Sequence, residues 1–305
     1  MSHDFTQDQP YFSDNLVRLP EPTSDDDGRL EGIDPSFVFD FDTYDDPDDS
    51  GQRWSTWYDV EPLCRGPEPR PDWVVTSRGA IDTDLGILKT GKEAEVFLLE
   101  RADPHDPEGG VVMAAKRYRS SEHRSFHRAA AYTEGRSTKR SRDERALKRK
   151  STWGRTVAAG EWAVSEWDAL KRFWEAGLPV PYPVQIDGTE ILMEWICVDG
   201  ETAPRLAQTR PEPALLASYF EQLRGALATM VQHGVVHGDL SAYNLLAAGE
   251  RLVIIDLPQI VDLAGNASGA DFLMRDCANV CGWFRSRGLD ADEHALFGEL
   301  IAHAF

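Results

Sequence analysis

Runs of strand character crowd the middle of this chain and helical periodicities dominate its end, and that segregation narrows the fold more than any other feature. Residues 94–100 (Ala-Glu-Val-Phe-Leu-Leu-Glu) and 111–118 (Val-Val-Met-Ala-Ala-Lys-Arg-Tyr) read as strands joined by the turn-rich 103–110. Residues 190–196 read as another strand. Before it, Trp162, Ala163, Glu166, Trp167, Leu170, Phe173 and Trp174 recur at helical spacing, which predicts a helix over 160–176 stopped by Gly177. Pro211 and Pro213 then introduce a helix of about twenty residues, with Leu216, Phe220, Leu223, Leu227 and Val231 on one stripe. Two short strands follow at 245–247 and 251–255, and 268–304 reads as helical with a break at Gly288. Such an order predicts an α+β protein with an N-terminal sheet lobe carrying one helix and a mainly helical C-terminal lobe. Ordered structure is expected to begin near Trp73. Residues 1–72 are read as an acidic, Pro- and Asp-rich tail, largely disordered or docked onto a partner or its own domain, 73–196 as the sheet lobe and 197–305 as the helical lobe.

The formal net charge of -20 argues against general affinity for nucleic acid. The charge is uneven, however: residues 1–50 hold fifteen acids against two Arg, while 117–155 hold thirteen Lys or Arg against four acids. Blocks of this kind read as solvated tails and loops, and the basic stretch 119–155, which has no clean apolar face, as a mobile excursion. The functional alternative is a polyanion or RNA contact through that loop. Cys64, Cys197, Cys277 and Cys281 form no dense disulfide pattern or zinc spacing, so free thiols in a reducing, cytoplasmic setting are expected. The N-terminus carries no charged-then-apolar leader and no apolar run reaches a membrane-spanning length.

Chemistry concentrates in His237-Gly238-Asp239-Leu240-Ser241-Ala242-Tyr243-Asn244 and in Asp256, twelve residues after Asn244. Phosphoryl transfer from ATP needs one carboxylate to accept or orient the attacking proton, and further oxygen ligands to hold magnesium on the phosphates. Asp239 fits the first role, as base or as orienting group; Asn244 and Asp256 fit the second at protein-kinase spacing. His237 reads as a structural hydrogen-bonding residue. Upstream, Gly86-Ile87-Leu88-Lys89-Thr90-Gly91-Lys92-Glu93 satisfies a Walker pattern until Glu93 replaces the metal-binding hydroxyl. A strand-like run follows it, so we read a nucleotide-covering strand-turn-strand instead of a P-loop. Lys116 on the next strand stands where a kinase pairs a lysine with the phosphates. Glu166, the one acid on an apolar helix face, needs a buried partner, and Lys116 is the obvious one. Backbone groups of Glu194 and Ile196, where the last strand crosses towards the helical half, are placed at the adenine edge.

Taken together, Gly86-x-x-x-Thr90-Gly91-Lys92-Glu93-Ala94-x-Val96, the lysine strand, the His237–Asn244 run, Ile254-Ile255-Asp256-x-Pro258-Gln259 and Asp276-Cys277-Ala278-Asn279-Val280 resemble the RIO family of atypical protein kinases, its first-type subgroup above all, over about residues 80–288. The resemblance implies a trimmed two-lobed kinase-like fold with an antiparallel sheet. It also implies ATP and Mg2+ as cofactors (Mn2+ as the alternative ion), with ATP contacts from Thr90, Lys92, Lys116, Glu166, Glu194 and Ile196. Serine autophosphorylation is implied too, as is ATPase turnover through a phosphorylated Asp256; whether Asp256 attacks phosphate or only holds metal stays open on its neighbours alone. Family members are associated with small-subunit ribosome maturation.

Departures from ordinary protein kinases are physical. Gly238 removes the arginine that reads a phosphorylated activation loop. Ser241 stands where a phosphate-stabilising lysine is common, a charge that Lys92 or the metal could supply. Asp256-Leu257-Pro258 replaces Asp-Phe-Gly, and the residues after Asp256 are few for a peptide-docking platform. A small-molecule phosphotransferase of the aminoglycoside or choline kinase type is the alternative, and a catalytically idle scaffold the third reading.

Overall fold

The structure, a computed structural model, describes residues 51–119, 152–258 and 260–304. The acidic residues 1–50 and most of the basic stretch, 120–151, lie outside the described residues, and the expectations for them stay with the sequence. Alternation sorts the sheet into two faces. Strands β1 (Gln52–Trp54), β2 (Ile81–Thr90), β3 (Ala94–Asp103) and β4 (Asp106–Tyr118) precede helix α1 (Thr152–Glu175), and β5 (Pro183–Asp187) and β6 (Glu190–Glu194) follow it. They form one six-stranded antiparallel sheet in the order β1-β2-β3-β4-β6-β5. On its outer face Phe97, Leu99, Met113, Ala115 and Leu192 pack with Trp57, Tyr182 and Val184. On the inner face Tyr118 and Ile191 meet Ala163, Trp167, Leu170 and Phe173 of α1.

Two expectations fall here. Order does not begin near Trp73: β1 pairs with β2, and residues 51–75 form a strap over the outer face, with Trp57 fully buried. The strap rounds the edge strand β5, where Gly66 N–H donates to Val184 O at 2.8 Å and Arg65 bridges to Gln185. Leu63 O accepts from Trp167 and Lys171 of α1. A strand of three residues carries too little alternation to be read from sequence. The second expectation, a helix over 160–176, starts too late, since α1 begins at Thr152 and takes in the end of the basic stretch. The segment 103–110 is also mostly strand, turning only at Pro104 and His105.

One fully buried ion pair sits on the outer face. Arg101 donates to both Asp82 oxygens, at 2.6 and 2.8 Å, and to Gln185 Oε1 at 2.9 Å. Three strands are thereby tied at a point where a lone charge would be prohibitive.

The helical lobe follows short strands β7 (Cys197–Val198) and β8 (Glu201–Thr202). Helix α2 (Pro213–Gln232) buries Leu216, Leu223, Leu227 and Val231 of the expected stripe, while Tyr219 is buried in place of Phe220, which is only half-buried. Strand β9 (Val235–Val236) pairs with β12 (Val261–Asp262), and β10 (Leu245–Ala248) with β11 (Arg251–Ile254). Helices α3 (Gly269–Arg285) and α4 (Glu293–Ala304) complete the lobe. The α+β, two-lobed reading thus holds, and the loop between β9 and β10 carries the motif singled out above. Among the described residues no helix is long and apolar enough to cross a membrane.

Candidate active site

Strand parity puts Lys116 and Tyr118 on the inner face, two residues apart and aimed at α1. Lys116 Nζ donates to Glu166 Oε1 at 2.7 Å and to Asp256 Oδ1 at 2.9 Å. Glu166, buried on α1, also accepts from Tyr118 OH and from Leu257 N–H. Its burial is therefore compensated on both oxygens. Burial works to discharge Lys116, but the carboxylates of Asp256 and Glu166 outweigh it and hold the ammonium well above its ordinary range. Lys116 in turn holds the Asp256 carboxyl down at about 2. Asp256 leaves β11 in the left-handed region at φ 67°, which Asp tolerates better than most residues, and its side chain stays half exposed to the cleft.

The catalytic loop is pinned from beneath. Gly238 N–H and Leu240 N–H donate to the two oxygens of buried Asp276 on α3, at 2.7 and 2.9 Å. Asn279 of the same helix donates to Leu240 O at 3.0 Å. His237 takes the Asp239 N–H on Nδ1 at 3.4 Å, so its Nε2 carries the proton and lies 3.3 Å from Ile255 O, a structural part as expected. Asn244 Nδ2 donates to Asp239 O at 2.9 Å, which commits the amide nitrogen to the loop and leaves Oδ1 as the ligand atom. The Asp239 backbone is thus fixed at both ends, while its carboxylate makes no ion pair or hydrogen bond among the described residues.

Above the cleft, β2 and β3 form a hairpin with no helix after it, which removes the P-loop alternative. Its turn closes through Gly91 N–H to Ala94 O at 2.9 Å, and a Cβ on Gly91 would meet that oxygen at 2.7 Å. Thr90 and Lys92 are exposed at the tip. Glu93 senses the site: burial, then the charges of Asp256 and Asp239, push its carboxyl up despite Lys116. At the lobe crossing, Glu194 N–H donates to Tyr182 O at 2.8 Å, so what Glu194 can offer a ring edge is its carbonyl. Ile196 O accepts from Ala203, and its N–H donates to no backbone carbonyl among the described residues.

Geometry therefore gathers Lys116, Glu166 and Asp256 in direct contact, with Asp239 and Asn244 on the adjoining loop. Asp276 and Tyr118 are additions that motif reading did not assign to the site. Asp276 was findable, because it is an acid on an apolar helix face beside Phe272, Leu273, Cys277 and Val280, the same signal that marked Glu166. Asp276→Ala is expected to strand two buried N–H groups and cost about 2–5 kcal/mol, read as a lowered urea midpoint. A loss under about 0.5 kcal/mol would show that the loop is held by something else.

Comparison with known proteins follows the geometry. The RIO domain family matches residues 102–296. The chain is 35% identical over 219 residues to the RIO-type serine/threonine-protein kinase Rio1 of Haloferax volcanii, covering 72% of this chain and 69% of that one. It is 28% identical to the Rio1 of Methanocaldococcus jannaschii, over 70% of this chain and 67% of that one. Against the serine/threonine-protein kinase rio1 of Dictyostelium discoideum the identity is 30%, over 69% of this chain and only 34% of that longer protein. The crystal structure of the Rio2 kinase from Chaetomium thermophilum shares the fold with a TM-score of 0.52 at 21% identity, over 72% of this chain and 63% of that one.

Proposed function

The chain belongs to the RIO family, in its first-type subgroup, and from that premise we propose that it moves the γ-phosphoryl group of ATP, with magnesium, onto serine or threonine hydroxyls, its own included. It is a phosphotransferase of the serine/threonine-kinase type. The observation that carries this reading is Lys116 bonded at once to Glu166 and Asp256, a contact that joins sheet lobe, helix and metal-side acid in one cleft. Asn244 Oδ1 and the Asp256 carboxylate form an all-oxygen pair suited to Mg2+, which commonly takes one or two protein ligands and completes its shell with phosphates and water. Among the described residues no cluster of three or more His, Cys, Asp or Glu competes for that role. When bound, the metal neutralises phosphate charge.

Each residue then has a defined task. Lys116, oriented by Glu166, exchanges the Asp256 carboxylate for phosphate oxygens, and Asp256 is released to its ligand role. Asp239 receives the hydroxyl proton of the acceptor as its oxygen closes on phosphorus. Ile196 N–H and Glu194 O face the adenine edge, with Thr90 and Lys92 at the covering loop. Asp256, ionised down to about pH 2 and half exposed, also fits a nucleophilic role. Its oxygen would attack the γ-phosphorus, the bond to the ADP oxygen would break, and water would later release phosphate, giving ATPase turnover. The four cysteines, all free thiols, fit the cytoplasmic setting expected from the sequence.

Incubation of the full chain with γ-labelled ATP and Mg2+ tests the reading. Acid-stable label on the protein is expected from phosphoserine, and label released by hydroxylamine from an acyl phosphate on Asp256. No label on protein, with transfer to an added aminoglycoside or choline, would overturn it in favour of a small-molecule kinase.

A further inference from the structure

We propose that Lys89 is a second phosphate-binding cation of the cleft, holding the terminal phosphoryl group from the sheet side while Arg205 faces it from the helical lobe. The inference rests on the ATP reading above and adds a residue to it.

Register makes the first part of the case. Lys89 lies opposite Val96, and Val96 lies opposite Lys116, so the three occupy one row across β2, β3 and β4. Cross-strand partners share a sheet face, so Lys89 emerges on the inner face beside Lys116, about 10 Å away at two strand spacings. A bulge between Ile87 and Lys89 brings this about. Without it, β2 would keep its register, and Lys89 would fall opposite Glu95 and point outward with it.

Charge makes the second part. Lys89 is exposed at the rim of the cleft, and its ammonium is lowered by partial desolvation first and by Arg205 next, with Lys116 adding to the effect and Asp256 opposing it. These four charges therefore share one space. Arg205 is fixed there by donating to Tyr243 O in the catalytic loop, and its backbone bridges to Leu246. Lys89 makes no ion pair or hydrogen bond among the described residues. Arg205 and Lys116 both repel the Lys89 ammonium and only Asp256 answers them, so a polyanion entering this space relieves the cations.

Chemistry makes the third. Asp256 stands on the metal side, where the terminal phosphates belong, and Lys116 with Glu166 takes the inner phosphates. Ser241 brings no charge to the catalytic loop, and Lys92 lies in the turn between β2 and β3, outside the row that Lys89 shares with Lys116. Lys89, two residues before the turn glycine and within the field of Asp256, supplies the missing positive charge.

Calorimetric titration of the full chain with MgATP and with MgADP separates the possibilities. Lys89→Ala is expected to weaken MgATP about tenfold or more and MgADP less than about twofold, one charge-assisted hydrogen bond being lost from the terminal phosphate alone. Lys89→Arg should restore most of the difference, and an unchanged unfolding midpoint would separate this from general damage. Equal weakening of both nucleotides overturns the assignment. So does no weakening of either, the result expected if the two cations serve a phosphorylated protein instead. Should the unaltered chain bind neither nucleotide, the ATP reading itself falls; should it bind both with Lys89→Ala indifferent, only the Lys89 assignment falls.

Discussion

Asp239→Asn should cut label transfer from γ-labelled ATP by about 10²–10⁴-fold while changing ATP affinity by less than about twofold. The asymmetry follows from how the residue is held. Its N–H and C=O are bound to His237 and Asn244, so an isosteric amide leaves the loop in place. Only the carboxylate, which makes no ion pair or hydrogen bond among the described residues, is lost. An amide cannot take a proton from an attacking hydroxyl. Survival of transfer at near-normal rate would mean that the proton leaves by another route, and that Asp239 merely shapes the loop.

Lys116→Met carries the second large effect, and it has two readouts. The methionine keeps the length of the stem and removes the charge, so productive ATP use should fall at least about a hundredfold as the phosphates lose their lysine. Stability should fall as well, by about 3 kcal/mol, because Glu166 stays buried with only Tyr118 OH and Leu257 N–H to answer it. Adding Glu166→Gln should recover much of that stability without recovering activity, since the stranded charge disappears while the phosphate partner does not return. If the double variant were no more stable than Lys116→Met, the pair would not be the structural unit described here. Unchanged kinetics in Lys116→Met would refute the phosphate role outright.

Much of the site was legible because its chemistry sits at short, fixed spacings. Asp239, Asn244 and Asp256 fall on one loop and one strand end, and Lys116 with Glu166 follows from parity on a strand and a lone acid on an apolar helix face. What stayed hidden depends on register between distant segments. Lys89 faces the cleft only because β2 bulges beside it, and no local pattern records a bulge between Leu88 and its neighbours. Asp276 carried the signal that revealed Glu166, but its partners are backbone groups more than thirty residues earlier, which side-chain pairing rules do not look for. The strap over 51–75 was legible only as a tail that could dock, for a related reason. Its strand is three residues long, its anchors Trp57 and Trp73 sit among acids and prolines, and composition there resembles a solvated tail.

That strap sets where the gene can be cut. Trimming to the family-matched residues 102–296 would discard β2 and nearly all of β3, leaving a three-stranded remnant with Met113, Ala115 and Leu192 bare on one side. Starting instead at Trp73 would spare those strands yet unseat Trp57 and strip the guard from β5. The raw border would then invite strand exchange between neighbouring molecules, so a shortened version would tend to clump before its catalysis could be measured.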